Sequence, residues 1–228
     1  MTAATAGAVE VPEMVEEFAD PYRYGVFLRP SAELGSAALA AYDVVTRQFG
    51  FTAAAAYPPH MTLVGNFAVD PAHGEDGLVA VLNGVLEGAP ALAIHNSGLG
   101  LQFGTSIGYQ VDGDGHGGIN TGLHALVGRL FDGISRVRVF PASDRRMAQR
   151  RLEGGHTFQG HVTVLGHDGS RNPELVREVL DYLAPLGLDG PASYRGDTVT
   201  LYRFNSDNWS GDYWETMDWE VIRSWALS

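Results

Sequence analysis

One pattern, seen twice in the chain, constrains the fold more than any other feature. A short apolar strand is followed by an amphipathic helix and then by a second strand that carries His-x-Thr-aliphatic. The first copy is His60-Met61-Thr62-Leu63 and the second is His161-Val162-Thr163-Val164. Along a strand, residues i and i+2 face the same way. Each His therefore shares a sheet face with its Thr, while Met61, Leu63, Val162 and Val164 belong to the opposite, core-facing side. Chance predicts roughly 0.4 such matches for this composition, and two copies about one time in twenty. Their matching strand contexts add more weight than the count.

Around these strands the reading is regular. The run YRYGVFLRP (22–30) is a buried strand, and Ser31 caps a helix with stripe Leu34, Ala37, Ala38, Ala41, Val44, Val45 and Phe49 that Gly50 closes. After the strand 58–67, Asp70-Pro71 predicts a helix start. The segments 91–103 and 106–113 read as a strand pair turning through Gly104, with 112–118 as a loop. Asn120 caps the next helix, and Asn172-Pro173 predicts the start of another beyond the strand 157–168. DTVTLYRF (197–204) and WEVIRSWAL (219–227) close the chain as strands. No Gly-rich dinucleotide turn interrupts the alternation, which predicts an α+β fold of two antiparallel-sheet lobes with outer helices and a central groove.

Composition narrows the chemistry. The chain of 228 residues has 27 Asp+Glu against 15 Lys+Arg, a net charge of −12, and every cation is Arg. Long nucleic acid duplexes and anionic membranes need many cations, so both are excluded as partners. A small anionic ligand held by a few donors is not. Glu10, Glu13, Glu16, Glu17 and Asp20 carry five of the negative charges, so residues 1–21 read as an acidic, flexible arm and 22–228 as one bilobal domain. Without Cys there is no disulfide, thiol nucleophile or Cys-based zinc site. No secretory leader and no run of about 18 apolar residues is present, so the expectation is a cytoplasmic monomer.

Two His-Thr pairs facing each other across a cavity suit phosphodiester chemistry. One neutral imidazole removes a proton from the attacking water or hydroxyl, and the other, protonated, supplies one to the leaving oxygen. The Thr hydroxyls hydrogen-bond the non-bridging oxygens as charge builds there. Neither metal nor cofactor is called for. Other motifs are weaker. Gly104-Thr105-Ser106-Ile107-Gly108 matches a serine-hydrolase elbow but lacks the following helix. Asp112, Asp114 and His116 lack an EF-hand's distal Glu and read as a solvated turn. His156, His161 and His167 lack a third carboxylate ligand for zinc. The stretch Arg145, Arg146, Arg150 and Arg151 is either a solvated face or a basic loop steering phosphates. The aromatics Trp209, Tyr213, Trp214, Trp219 and Trp225 read as core and sheet packing by default, with base stacking as the alternative.

At the paired motifs the chain resembles the 2H phosphoesterase superfamily, named for two His-x-Ser/Thr motifs, from about residue 22 to the end. YGVFLRP is similar to the first strand of the plant-type cyclic phosphodiesterases. TVTLYRF and WEVIRSWAL resemble the last strands of those enzymes and of the bacterial 2′-5′ RNA ligase-like proteins. The resemblance implies a bilobal fold and action on 2′,3′-cyclic or related phosphates, or on 2′-5′ linkages. It implies His60 and His161 as the acid–base pair and Thr62 and Thr163 as phosphate holders. Phe27 and Phe103 border the groove by the same argument. Five positions after the second His, several bacterial relatives carry Arg and the plant type Tyr; here that position is Gly166, followed by His167, a further candidate for substrate contact. The expected substrate is a small nucleotide or short oligonucleotide. Two alternatives stand beside it: a non-catalytic nucleotide or RNA-end binding module, and a biosynthetic enzyme handling a non-nucleotide ester.

Overall fold

A computed structural model describes residues 22–139, 158–207, 209 and 212–228. The acidic segment 1–21, the arginines at 145–151 and His156 lie outside the described residues. The architecture is α+β. Strands β1 (Tyr22–Leu28), β2 (Met61–Val69), β9 (Thr198–Asn205) and β10 (Asp218–Ala226) form one antiparallel lobe in the order β10-β9-β1-β2. Strands β4 (Leu99–Gln102), β5 (Ser106–Gln110) and β7 (His161–Leu165) form the other, and β6 (Arg138–Val139) adds to the far end of β2. The lobes meet where β2 and β7 pair through Met61 and Val162 alone. Both side chains are fully buried there, so truncating Met61 to Ala costs about 2–5 kcal/mol. A separate two-stranded sheet joins β3 (Leu92–His95) to β8 (Ser193–Gly196).

The helices are α1 (Ala32–Phe49), α2 (Gly74–Leu86), α3 (Thr121–Ile134), α4 (His167–Arg171) and α5 (Val176–Leu183). Helix α1 begins and ends as its sequence dictates. The Ser31 hydroxyl accepts from the Leu34 amide, and Gly50 takes the left-handed conformation that closes the last turn. Asn120 caps α3 in the same way through the Leu123 amide. Leu34, Ala38, Ala41 and Val45 from α1, and Leu123, Leu126, Val127 and Leu130 from α3, enter one apolar core with the inner faces of β1, β2, β5 and β7.

Two helix starts differ from the sequence expectation. Asp70 caps a tight turn, accepting from the Ala72 amide, and α2 starts only at Gly74, whose φ is 62°. Asn172 closes α4 instead of opening the next helix: its amide donates to the Asp168 carbonyl, and α5 starts only at Val176. In both cases a side chain with strong capping chemistry serves a local turn first. The motif histidines also sit at strand starts, with His60 just before β2 and His161 as the first residue of β7.

Candidate active site

The alternation of each motif strand sorts its side chains as the spacing requires. Met61, Leu63, Val162 and Val164 are buried in the core, while Thr62 and Thr163 are half-buried on the opposite face. That face borders a cavity of ≈ 280 Å³ between the lobes. Phe27, His60, Thr62, Phe103, His161, Thr163 and His167 all line it. Distant parts of the sequence thus converge on one space.

The two motif histidines are held alike. His60 Nδ1 lies 2.7 Å from the carbonyl of Pro58, and His161 Nδ1 lies 2.7 Å from the carbonyl of Gln159. A carbonyl only accepts, so each Nδ1 carries a proton and donates it. Nε2 is left as the nitrogen that gains or loses a proton in both rings. Burial lowers the pKa of each. His60 is brought to about 4, with the backbone bond opposing the shift and His161 adding to it. His161 is lowered by burial too, but its backbone bond and the carboxylate of Asp112 oppose the shift.

Aromatic rings fix both imidazoles. Phe27 stacks on His60 at 4.0 Å between centroids and 20° between planes. Gly25 makes this possible: a Cβ there would come within 2.6 Å of the Phe27 ring. Phe103 meets His161 edge-on at 5.4 Å from the tip of the β4–β5 hairpin. It is 65% exposed and sits at φ 50°, a conformation that a bulky residue rarely adopts without a constraint.

Some lining residues were missed by sequence reasoning, as Tyr57 was, or read otherwise, as Tyr213 and Ser106 were. Tyr57 donates to Tyr213 (3.2 Å), and Tyr213 meets His167 Nε2 at 2.7 Å, so three polar side chains form one wall. His167 stacks on Trp214 at 5.1 Å and 13°, and burial lowers its pKa. Tyr213 and Trp214 therefore serve the site, in addition to packing. Ser106, from the rejected elbow motif, lines the cavity at the start of β5 with no helix after it. The match of Gly65 with Gly166 is the most legible omission. The motif extends to His-x-Thr-aliphatic-aliphatic-Gly in both copies, HMTLVG and HVTVLG. A Cβ on Gly65 would approach the Thr62 methyl to 2.8 Å, and one on Gly166 the Thr163 methyl to 3.3 Å. Comparing the copies two residues further would have found them.

Contacts across the cavity join the lobes. The Tyr42 hydroxyl on α1 donates to the Thr163 carbonyl at 3.0 Å, and the Ala53 amide donates to Asp168 at 2.8 Å. Among the described residues, no group of three or more His, Asp or Glu side chains is gathered as a metal ligand set. Nor is any helix there long and apolar enough to cross a membrane.

No protein-family model matches the sequence, and no curated protein sequence matches it either. Solved structures do resemble it. A crystal structure of a phosphoesterase is 16% identical, with a TM-score of 0.54 over 91% of this chain and 99% of that one. E. coli LigT complexed with NADP+ is 18% identical, with a TM-score of 0.53 over 92% and 99%. The Thermus thermophilus protein TT0787 is 13% identical, with a TM-score of 0.54 over 90% and 97%. At these identities the likeness is one of fold.

Proposed function

We propose that the chain is a 2H-type phosphoesterase that hydrolyses a cyclic phosphate or 2′-5′ phosphodiester of a small nucleotide by acid–base catalysis between His60 and His161. The observation that carries this reading is the convergence of two identically held His-Thr pairs on one cavity. One Nε2 takes the proton of an attacking water as its oxygen bonds to phosphorus. The other, protonated, delivers its proton to the ester oxygen as the phosphorus–oxygen bond breaks. Each Nδ1–H···O=C bond keeps its ring in the tautomer this exchange needs. Thr62 and Thr163 hold the non-bridging oxygens from opposite lobes.

The shared fold with a solved phosphoesterase supports the reaction class. LigT, of the same fold, was solved with NADP+, which supports a nucleotide as the occupant. A space of ≈ 280 Å³ stands at the small end of ligand pockets, about 300–1,000 Å³, and suits one nucleotide unit better than a polymer. The test is turnover of a panel of 2′,3′-cyclic nucleotides, 2′-5′ dinucleotides and simple phosphodiesters, with and without EDTA. We expect hydrolysis of at least one nucleotide ester and no loss with EDTA. Tight binding of nucleoside 2′-phosphates with no hydrolysis anywhere in the panel would instead favour a binding module.

A further inference from the structure

The two motifs are near copies in backbone and tautomer, yet an acid–base pair requires unequal partners. The inequality lies one residue upstream of each histidine. Before His161 stands Gly160, whose amide donates to Asp112 Oδ1 at 2.9 Å. Before His60 stands Pro59, which has no amide hydrogen and can tether no carboxylate. Asp112 is fixed on every side. Its Oδ1 also meets His124 Nε2 at 2.8 Å, its carbonyl accepts from the Asn120 amide at 2.8 Å, and the adjacent Val111 amide donates to the Gly160 carbonyl at 3.1 Å. The edge of Phe158 against the His124 ring, 5.0 Å between centroids, closes the cluster.

We propose that Asp112 is the positioning residue that makes His161 the proton donor to the leaving oxygen and leaves His60 as the base. This rests on the phosphodiester reading above. A carboxylate held on the amide of Gly160, next to His161 in the chain, favours the imidazolium form of His161. His60 has the opposite surroundings: the flat face of Phe27, and His161 as the charge acting on it. The titratable groups that act on His161 are Asp112 from the loop after β5, with His124 of α3 hydrogen-bonded to it, and His60 from the start of β2. His167 and Tyr213 line the same cavity. Asp112 is the one anion of this set. In the step itself, water's oxygen bonds to phosphorus and its proton goes to His60 Nε2. The ester bond breaks and the leaving oxygen takes the proton of His161 Nε2. Solvent then takes the proton from His60 Nε2 and supplies one to His161 Nε2, restoring both rings.

Asp112→Asn keeps an oxygen for the Gly160 amide and removes only the charge. NMR titration of the ring nitrogens should show the His161 pKa above that of His60 in the unaltered chain. In Asp112→Asn the His161 value should fall by about 0.5–1 unit, with His60 unmoved. An unchanged His161 titration overturns the role of Asp112, whether or not the chain turns over a substrate. Kinetics on two esters test the assignment separately. His161→Ala should lose about 10²-fold or more on a 2′,3′-cyclic nucleotide. On a p-nitrophenyl phosphodiester, whose leaving group needs no proton, it should stay within about tenfold, while His60→Ala loses on both. The reverse pattern, with His60→Ala rescued by the nitrophenyl ester, overturns the assignment. Turnover of neither ester by the unaltered chain would strike down the functional reading and the acid assignment with it, while the titration still decides the electrostatic claim.

Discussion

His60 reaches a pKa of about 4 because its ring is buried against Phe27 and faces a second imidazole. That value has consequences for rate and for stability, and their signs can be worked out. For rate, the acidic limb of kcat/KM reports protonation of the free base, so it should fall near pH 4 and not near 6.5. The two limbs belong to the coupled pair. Bound phosphate, being anionic, favours both imidazolium forms, so the alkaline limb of kcat should lie at higher pH than that of kcat/KM. Equal profiles for both parameters with limbs near pH 6.5 would contradict this. For stability, a His whose folded pKa is depressed contributes fully above its unfolded value of about 6.5. The contribution is lost as pH falls toward 4, by about 3 kcal/mol in all. His60→Ala should therefore shrink the difference in unfolding free energy between pH 7 and pH 4, although it lowers stability at pH 7. An undiminished difference would show that His60 is not the buried neutral ring described above.

Strand β2 shows how an element aims these groups. Opposite Gly25, β2 has two residues, Gly65 and Asn66, where regular pairing has one; Tyr24 pairs with Phe67 and Val26 with Val64. This bulge places Asn66 at φ 53° and brings both residues to the cavity. A methyl group on Gly65 would collide with the Thr62 side chain. Gly65→Ala should then rotate Thr62 away from the phosphate, lowering kcat about tenfold or more while costing little stability. A wild-type kcat would mean that the Thr62 hydroxyl does no work in the transition state. The strand faces were legible in the sequence because a period of two sorts His and Thr from Met, Leu and Val. The bulge was not, because nothing local marks where pairing with a distant strand slips. Nor were the starts of α2 and α5, where Asp70 and Asn172 look like caps but close turns of their own.

At the scale of the molecule, two half-sites are worth little until the lobes face each other. The backbone link between β2 and β7 is a single pair, so the buried Met61–Val162 contact, Tyr42 on the Thr163 carbonyl and Asp168 on the Ala53 amide carry the registration. The repeated motif foretold that two such strands would share a cavity. It could not foretell that Tyr57 and Tyr213 would join His167 in one wall, since the three come from separate segments with no common pattern. The acidic composition takes on a narrower meaning in this setting. It argues against a broad nucleic-acid surface but not against a small cavity lined by histidines and hydroxyls, where the proposed phosphate would sit.

The central claim is that His60 and His161 act as one catalytic unit. A double-mutant cycle on kcat for a 2′,3′-cyclic nucleotide tests it most directly, with His60→Ala, His161→Ala and the pair measured at one pH. Groups that act on the same step lose their effect together, so the double variant should be no slower than the worse single variant by more than about threefold. Losses that simply multiply, or a single variant that retains full turnover, would contradict the account.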